Sequence, residues 1–103
     1  VITGIILDVP PDERAVVPLH LDHPSPNPFN PTTTISFDLP QAGHVRLESY
    51  DVLGRRVATI LDEQRTAGRH SVVWDAGGLP SGVYLLKLTT AEESMTRKVV
   101  LLK

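Results

Sequence analysis

Apolar residues in this chain recur at every second position, in short runs broken by turn residues. This alternation limits the folds open to it more than any other feature. In "TISFDLP", Ile35, Phe37 and Leu39 fall on one side of an extended strand and Ser36 and Asp38 on the other. "HVRLESYD" repeats the arrangement, with Val45 and Leu47 set against Arg46 and Glu48. The runs "RRVATIL", "RHSVVWD", "GVYLLKLTT" and "SMTRKVVLL" follow, each of ordinary strand length. No window sustains the i, i+3, i+4, i+7 spacing of an amphipathic helix. Successive side chains of a strand point to opposite faces, so each run presents one apolar face that a second layer must cover.

The separators suit such a fold. Gln41-Ala42-Gly43 and Leu53-Gly54-Arg55 place glycine where a positive φ is expected. "GGLPSG", Gly77 to Gly82, brackets Pro80, whose φ is already fixed, and "TTAEES" closes the last hairpin. With a weaker strand within Val16 to Leu21, the reading reaches about seven strands at intervals of about 8–12 residues. The expected architecture is all-β, an immunoglobulin-like antiparallel β-sandwich. Trp74 shares a face with Val72 and reads as a core tryptophan. Phe29, Tyr50 and Tyr84 are left as the aromatic residues open to solvent.

Length and charge narrow the function classes. A chain of 103 residues makes one domain and encloses no deep cleft easily. Net charge is −2, and the 10 Lys and Arg are dispersed, which argues against nucleic acid. With no cysteine there is neither disulfide nor thiolate metal site, and runs such as Ile5–Leu7 and Val99–Leu102 are far too short to span a membrane. The chain opens on Val1 and its one methionine is Met95. It therefore reads as a C-terminal module attached to something longer, ending in the strand "KVVLLK". Residues 1–20 are expected to be a linker or the tail of a preceding domain: "VITGIILDV" reads as a strand, and "PPDERAVVP" is proline-rich and charged. The sandwich is expected over residues 21–103, as a monomer.

No catalytic constellation stands out. The chain has no Gly-x-Ser-x-Gly elbow, phosphate-cradling glycine loop or His-Glu-x-x-His. Asp12-Glu13 and Glu92-Glu93 are sequence neighbours, which point apart in an extended chain. His20 and His23 lack a second pair of ligands at metal spacing, His44 and His70 read as rim residues, and Asp51, Asp62 and Asp75 read as turn-makers after strands. No cofactor, metal or enzyme activity is expected.

One stretch goes beyond strand-and-turn logic. "PSPNPFNPTTT" runs from Pro24 to Thr34; its prolines bias the preceding residues away from helix and are expected to fix an extended path. Asn27 and Asn30 are suited to Asx turns, and the segment is expected to dock on the sandwich rim without adding a ladder.

Here the sequence resembles the C-terminal type A sorting domain of the type IX secretion system. The likeness is carried by Pro26, Asn27, Pro28, Phe29, Asn30 and Pro31, by "YDVLGRRV" with Gly54, and by "AGRHSVVWD" with Trp74. "LPSGVYLLKL" and the terminal "KVVLLK" complete it. Ser49 departs from the pattern, standing where an apolar β-branched residue is usual, and Gly77-Gly78 lengthens the loop after Trp74.

The resemblance implies a non-catalytic delivery label for a cargo that reaches the periplasm by its own leader and is then sent to the cell surface or medium. Its implied partners are an N-terminally attached cargo, an outer-membrane translocon and a sortase-like peptidase. Gly82, Val83, Tyr84, Lys98 and Lys103 are the implied recognition residues, with the last strand offering an edge for pairing. The proline segment is expected to hold the domain off its cargo, leaving Pro10–Pro18 open to the peptidase. The alternative is a carbohydrate-binding or structural accessory module of a secreted polysaccharide-degrading enzyme.

Overall fold

The structure, a computed structural model, describes residues 18–103. Its strands are β1 (His20–Leu21), β2 (Thr32–Leu39), β3 (Gly43–Tyr50), β4 (Arg56–Arg65), β5 (Gly68–Asp75), β6 (Gly82–Thr89) and β7 (Ser94–Leu101). They form two antiparallel sheets, one ordered β1-β2-β5 and the other β4-β3-β6-β7. The expected sandwich is therefore present. Of the Val16–Leu21 strand, only His20–Leu21 is strand among the described residues; Val16 and Val17 lie outside them, as do Val1–Val9 and most of the Pro10–Pro18 linker.

The alternation read from the sequence becomes the inter-sheet core. Thr33, Ile35, Phe37 and Leu39 of β2 face inward with Val45 and Leu47 of β3, Tyr84, Leu86 and Leu88 of β6, and Val99 and Leu101 of β7. Each large apolar side chain removed from water in this way contributes about 1.5–3 kcal/mol before chain entropy is counted. Trp74 lies in this core, as expected.

Two local expectations are corrected. Gly43 opens β3 without a positive φ; the left-handed glycines are Gly54 (φ 83°) and Gly68 (φ 115°), where β5 begins. Asp62 follows no strand end. β4 runs on to Arg65, and Asp62 sits within it opposite Arg46. The length of β4 is tied to its irregularity, because its register against β3 slips between Leu47 and Glu48 and again between Ser49 and Tyr50. Ile60 and Val57 are the extra residues, and such bulges sharpen strand twist.

The proline segment is where the structure departs furthest from expectation. It bends through Pro26–Pro28, so the path is not extended; the bonds preceding Pro26, Pro28 and Pro31 are cis. It lies between β1 and β2, inside the domain, and is therefore no spacer between domain and cargo. It also closes the outer edge of β7. Phe29 N–H donates to the Val100 carbonyl (2.9 Å) and Leu102 N–H donates to the Phe29 carbonyl (3.0 Å). Val100 N–H donates to Asn27 Oδ1 (2.9 Å), and Asn27 Nδ2 donates to the Lys98 carbonyl (3.2 Å). Farther along β7, Arg97 Nε donates to the Leu21 carbonyl of β1 (2.7 Å). An edge filled in this way does not pair readily with an added strand.

The sandwich has two ends with different contents. Pro18 and Leu19 lie beside the C-terminal end of β2, because β1 pairs His20 with Asp38 and Leu21 with Phe37. The opposite end, roughly 25 Å away along eight-residue strands, gathers the start of β2, the β3–β4 turn, the β5–β6 loop and the end of β7. This end is the distal pole.

Candidate functional site

The distal pole is built on three aromatic side chains from three separate motifs. Phe29 of the proline segment, Trp74 of β5 and Tyr84 of β6 are all buried. Phe29 and Trp74 have ring centroids 5.5 Å apart at 40°, and Trp74 meets Tyr84 edge-on at 6.3 Å. Such tilted and T-shaped pairs are favourable quadrupole arrangements. Phe29 and Tyr84 are thus core residues, which corrects their reading as solvent-open. A sugar platform would need exposed aromatic faces, and of the three left open only Tyr50 stays partly exposed.

Hydrogen bonds tie the surrounding loops to this layer. Tyr84 O–H donates to the Pro80 carbonyl (2.6 Å) and Ala76 N–H to the Pro31 carbonyl (2.9 Å). Thr33 Oγ1 donates to the Pro26 carbonyl (2.8 Å). Lys103 is bound at both ends: its N–H donates to Ser81 Oγ (2.9 Å) and its Nζ to the Gly77 carbonyl (2.6 Å). Gly82 lies opposite Leu101, and Val83 opposite Val100 on the outward face. The implied recognition residues Gly82, Val83, Tyr84 and Lys103 therefore meet here, with Pro26–Pro31, Gly54 and Trp74. Lys98 stands apart, farther down β7, exposed and opposite Leu85.

The β3–β4 turn completes the pole. Asp51 Oδ1 accepts from Leu53 N–H (2.9 Å) and Arg55 N–H (3.0 Å), and Oδ2 accepts from Arg55 Nε (2.8 Å). The backbone closes on itself through Gly54 N–H to Asp51 O (3.0 Å) and Asp51 N–H to Arg55 O (2.9 Å). These donors, the Arg55 amide foremost, hold the Asp51 carboxyl below its usual range. Gly54 takes the left-handed φ that the turn requires. A shallow groove separates this turn from the β5–β6 loop, lined by Val52, Leu53, Val57, Leu79, Pro80 and Val83.

Beneath it, on the outer face of the four-stranded sheet, Glu48 is buried although strand alternation places it on the solvent side. It accepts from Tyr50 O–H (3.1 Å) and Arg56 Nη1 (3.0 Å), with Arg46 at 4.0 Å. Burial pushes the Glu48 carboxyl up, but these partners outweigh it and the net shift is downward. Burial first, then the bond to Glu48, pushes the Tyr50 hydroxyl up. Ser49, on the inner face, is fully buried and its hydroxyl has no partner among the described residues. Sequence reasoning singled out Ser49 as a departure from an apolar position but missed the burial of Glu48.

The remaining polar groups read as structural. Asp75 Oδ1 accepts from Gly77 N–H (2.9 Å), a turn-making bond. His20 pairs with Asp22, His44 with Asp62, and His70 meets the Thr66 carbonyl. Arg69 bridges Asp22 and Asp38 across the other sheet, and its hydrogen bond lowers the Asp22 carboxyl pKa. Among the described residues no three metal-ligating side chains converge.

A search of curated proteins found no match to the chain. A family model described as the secretion system C-terminal sorting domain matches residues 25–102. The match runs from the residue before Pro26 to the one after Leu101, so it takes in the motifs that the aromatic layer joins. The chain belongs to the secretion system C-terminal sorting domain family, a C-terminal signal of type IX secretion that directs its bearer to the cell surface or medium.

Proposed function

We propose that the distal pole is the surface by which the outer-membrane translocon recognises this domain, and that the domain performs no catalysis of its own. One observation carries this reading. Gly82, Val83, Tyr84 and Lys103 gather with the proline segment at the end of the sandwich opposite Pro18. A cargo attached ahead of Pro18 leaves that end clear. Recognition by a free last-strand edge gives way to recognition of a folded surface, since Asn27 and Phe29 already occupy that edge. Lys98, exposed on the adjoining outward face, is a peripheral contact.

A sortase-like peptidase would act ahead of Leu19, because from Leu19 onward the chain is engaged in the fold. The test compares export of cargo fusions carrying Val83→Ser or Lys103→Ala with fusions carrying Thr90→Ala or Glu92→Ala at the other end. Distal-pole variants that keep their melting temperature are expected to lose export while the controls retain it. Equal export from both groups, or a cleavage site mapped by mass spectrometry inside Ile35–Leu102, would contradict the reading.

A further inference from the structure

We infer that the β3–β4 turn is a preformed docking knob, with Val52 and Leu53 entering an apolar pocket rimmed by carboxylates on the translocon. The inference rests on the recognition reading above and names the partner chemistry of that pole. Turn tips are ordinarily polar, since Gly, Asn, Asp and Ser serve the backbone there. This tip instead carries Val52 and Leu53 at 72% and 74% exposure, among the most exposed large apolar residues described. Neither lies on the buried face of a strand, so core packing does not explain them.

The turn beneath them is unusually well fixed. Asp51 anchors it through two backbone amides and the Arg55 side chain, and two backbone bonds close the loop. Rigid apolar anchors of this kind lose little freedom on binding, which is how a few residues come to dominate an interface. The groove beside the knob continues the apolar surface through Val57, Leu79, Pro80 and Val83 to the recognition residues.

Charge selects the partner. Asp51 and Glu48 are turned inward, their side chains 16% and 4% exposed, while their partners Arg55 and Arg56 are 72% and 59% exposed. The ion pairs balance formally, yet solvent meets the guanidinium side. A pocket with carboxylates on its rim complements that arrangement, and a basic rim is repelled by it.

The test uses the whole chain fused behind a cargo in a host with the secretion system. The photocrosslinker p-benzoylphenylalanine is placed at position 53 or, as a control, at position 73, where exposed Val73 lies on the other sheet. An adduct with a translocon subunit is expected from position 53 and not from 73. The double variant V52S/L53S is expected to lower surface delivery by about tenfold or more with an unchanged melting temperature, and Arg55→Glu to weaken the adduct. Normal delivery of V52S/L53S with no adduct from position 53 would overturn the knob and leave the sorting role standing. Failure of the unaltered fusion to reach the surface would overturn the sorting reading, and the knob with it.

Discussion

Phe29 stands among prolines with no strand to align it, yet it seals one end of the core against Trp74. Phe29→Ala is expected to destabilise the domain by about 3–5 kcal/mol, read by urea denaturation; a loss under about 1 kcal/mol would mean the pocket collapses without it. Ser49 makes the opposite prediction. Its buried hydroxyl lacks a partner, so Ser49→Ala is expected to leave stability unchanged or raise it by about 1 kcal/mol; a clear loss in the same titration would show that the hydroxyl is satisfied.

Glu48 supplies the pH dependence. Its folded pKa lies below the ordinary glutamate value of 4.5, so its contribution is fully present above that value. It is lost as pH falls through the lowered folded value. Glu48→Gln is expected to cost about 1–3 kcal/mol at pH 7, with the gap to the parent narrowing below pH 4.5. Parallel stability curves would refute this.

Legibility differed among these residues. Tyr84 shares its parity with Leu86 and Leu88, so its burial was written in the alternation though not read from it. Phe29 carries no periodicity, and its place depends on a contact with β7 some seventy positions away. The burial of Glu48 depends on arginines reaching over it from the same and the neighbouring strand, which no pattern along β3 records.

At the scale of elements, five of the seven strands follow directly from period-two runs bounded by turn residues, because one buried face forces that pattern, while two bulges break the alternation of β4. What escaped was set by pairing. β4 outruns its apolar residues because its bulges keep it in register with β3, and the proline segment shows its purpose only against the edge of β7. A last strand with an open edge invites pairing with any exposed strand, and Asn27 prevents this by acting as a surrogate strand residue. Asn27→Ala is expected to speed hydrogen exchange at the Val100 amide markedly and to cost about 0.5–1.5 kcal/mol. Unchanged exchange at Val100 would show that Phe29 alone closes the edge.

Across the whole molecule, the motifs that mark the family are scattered in sequence and meet at one pole. The proline segment, the end of β5, the β5–β6 loop and the last residues are joined there by the Phe29–Trp74–Tyr84 layer and by Lys103, with the β3–β4 turn across a shallow groove from them. The family resemblance was legible in the order and spacing of those motifs, while their convergence needed the fold. Removing Lys98–Lys103 therefore takes away more than two charges: it strips β7 of its second half and the β5–β6 loop of its two bonds to Lys103.

This folded domain carries its cargo out through the type IX machinery. The most direct measurement is the location of a fluorescent cargo fused ahead of the chain, behind a periplasmic leader, in strains with and without the translocon. Delivery to the surface or medium that requires both the translocon and an intact Lys98–Lys103 is the predicted result. A folded, intact fusion retained in the periplasm of the competent strain would contradict the account.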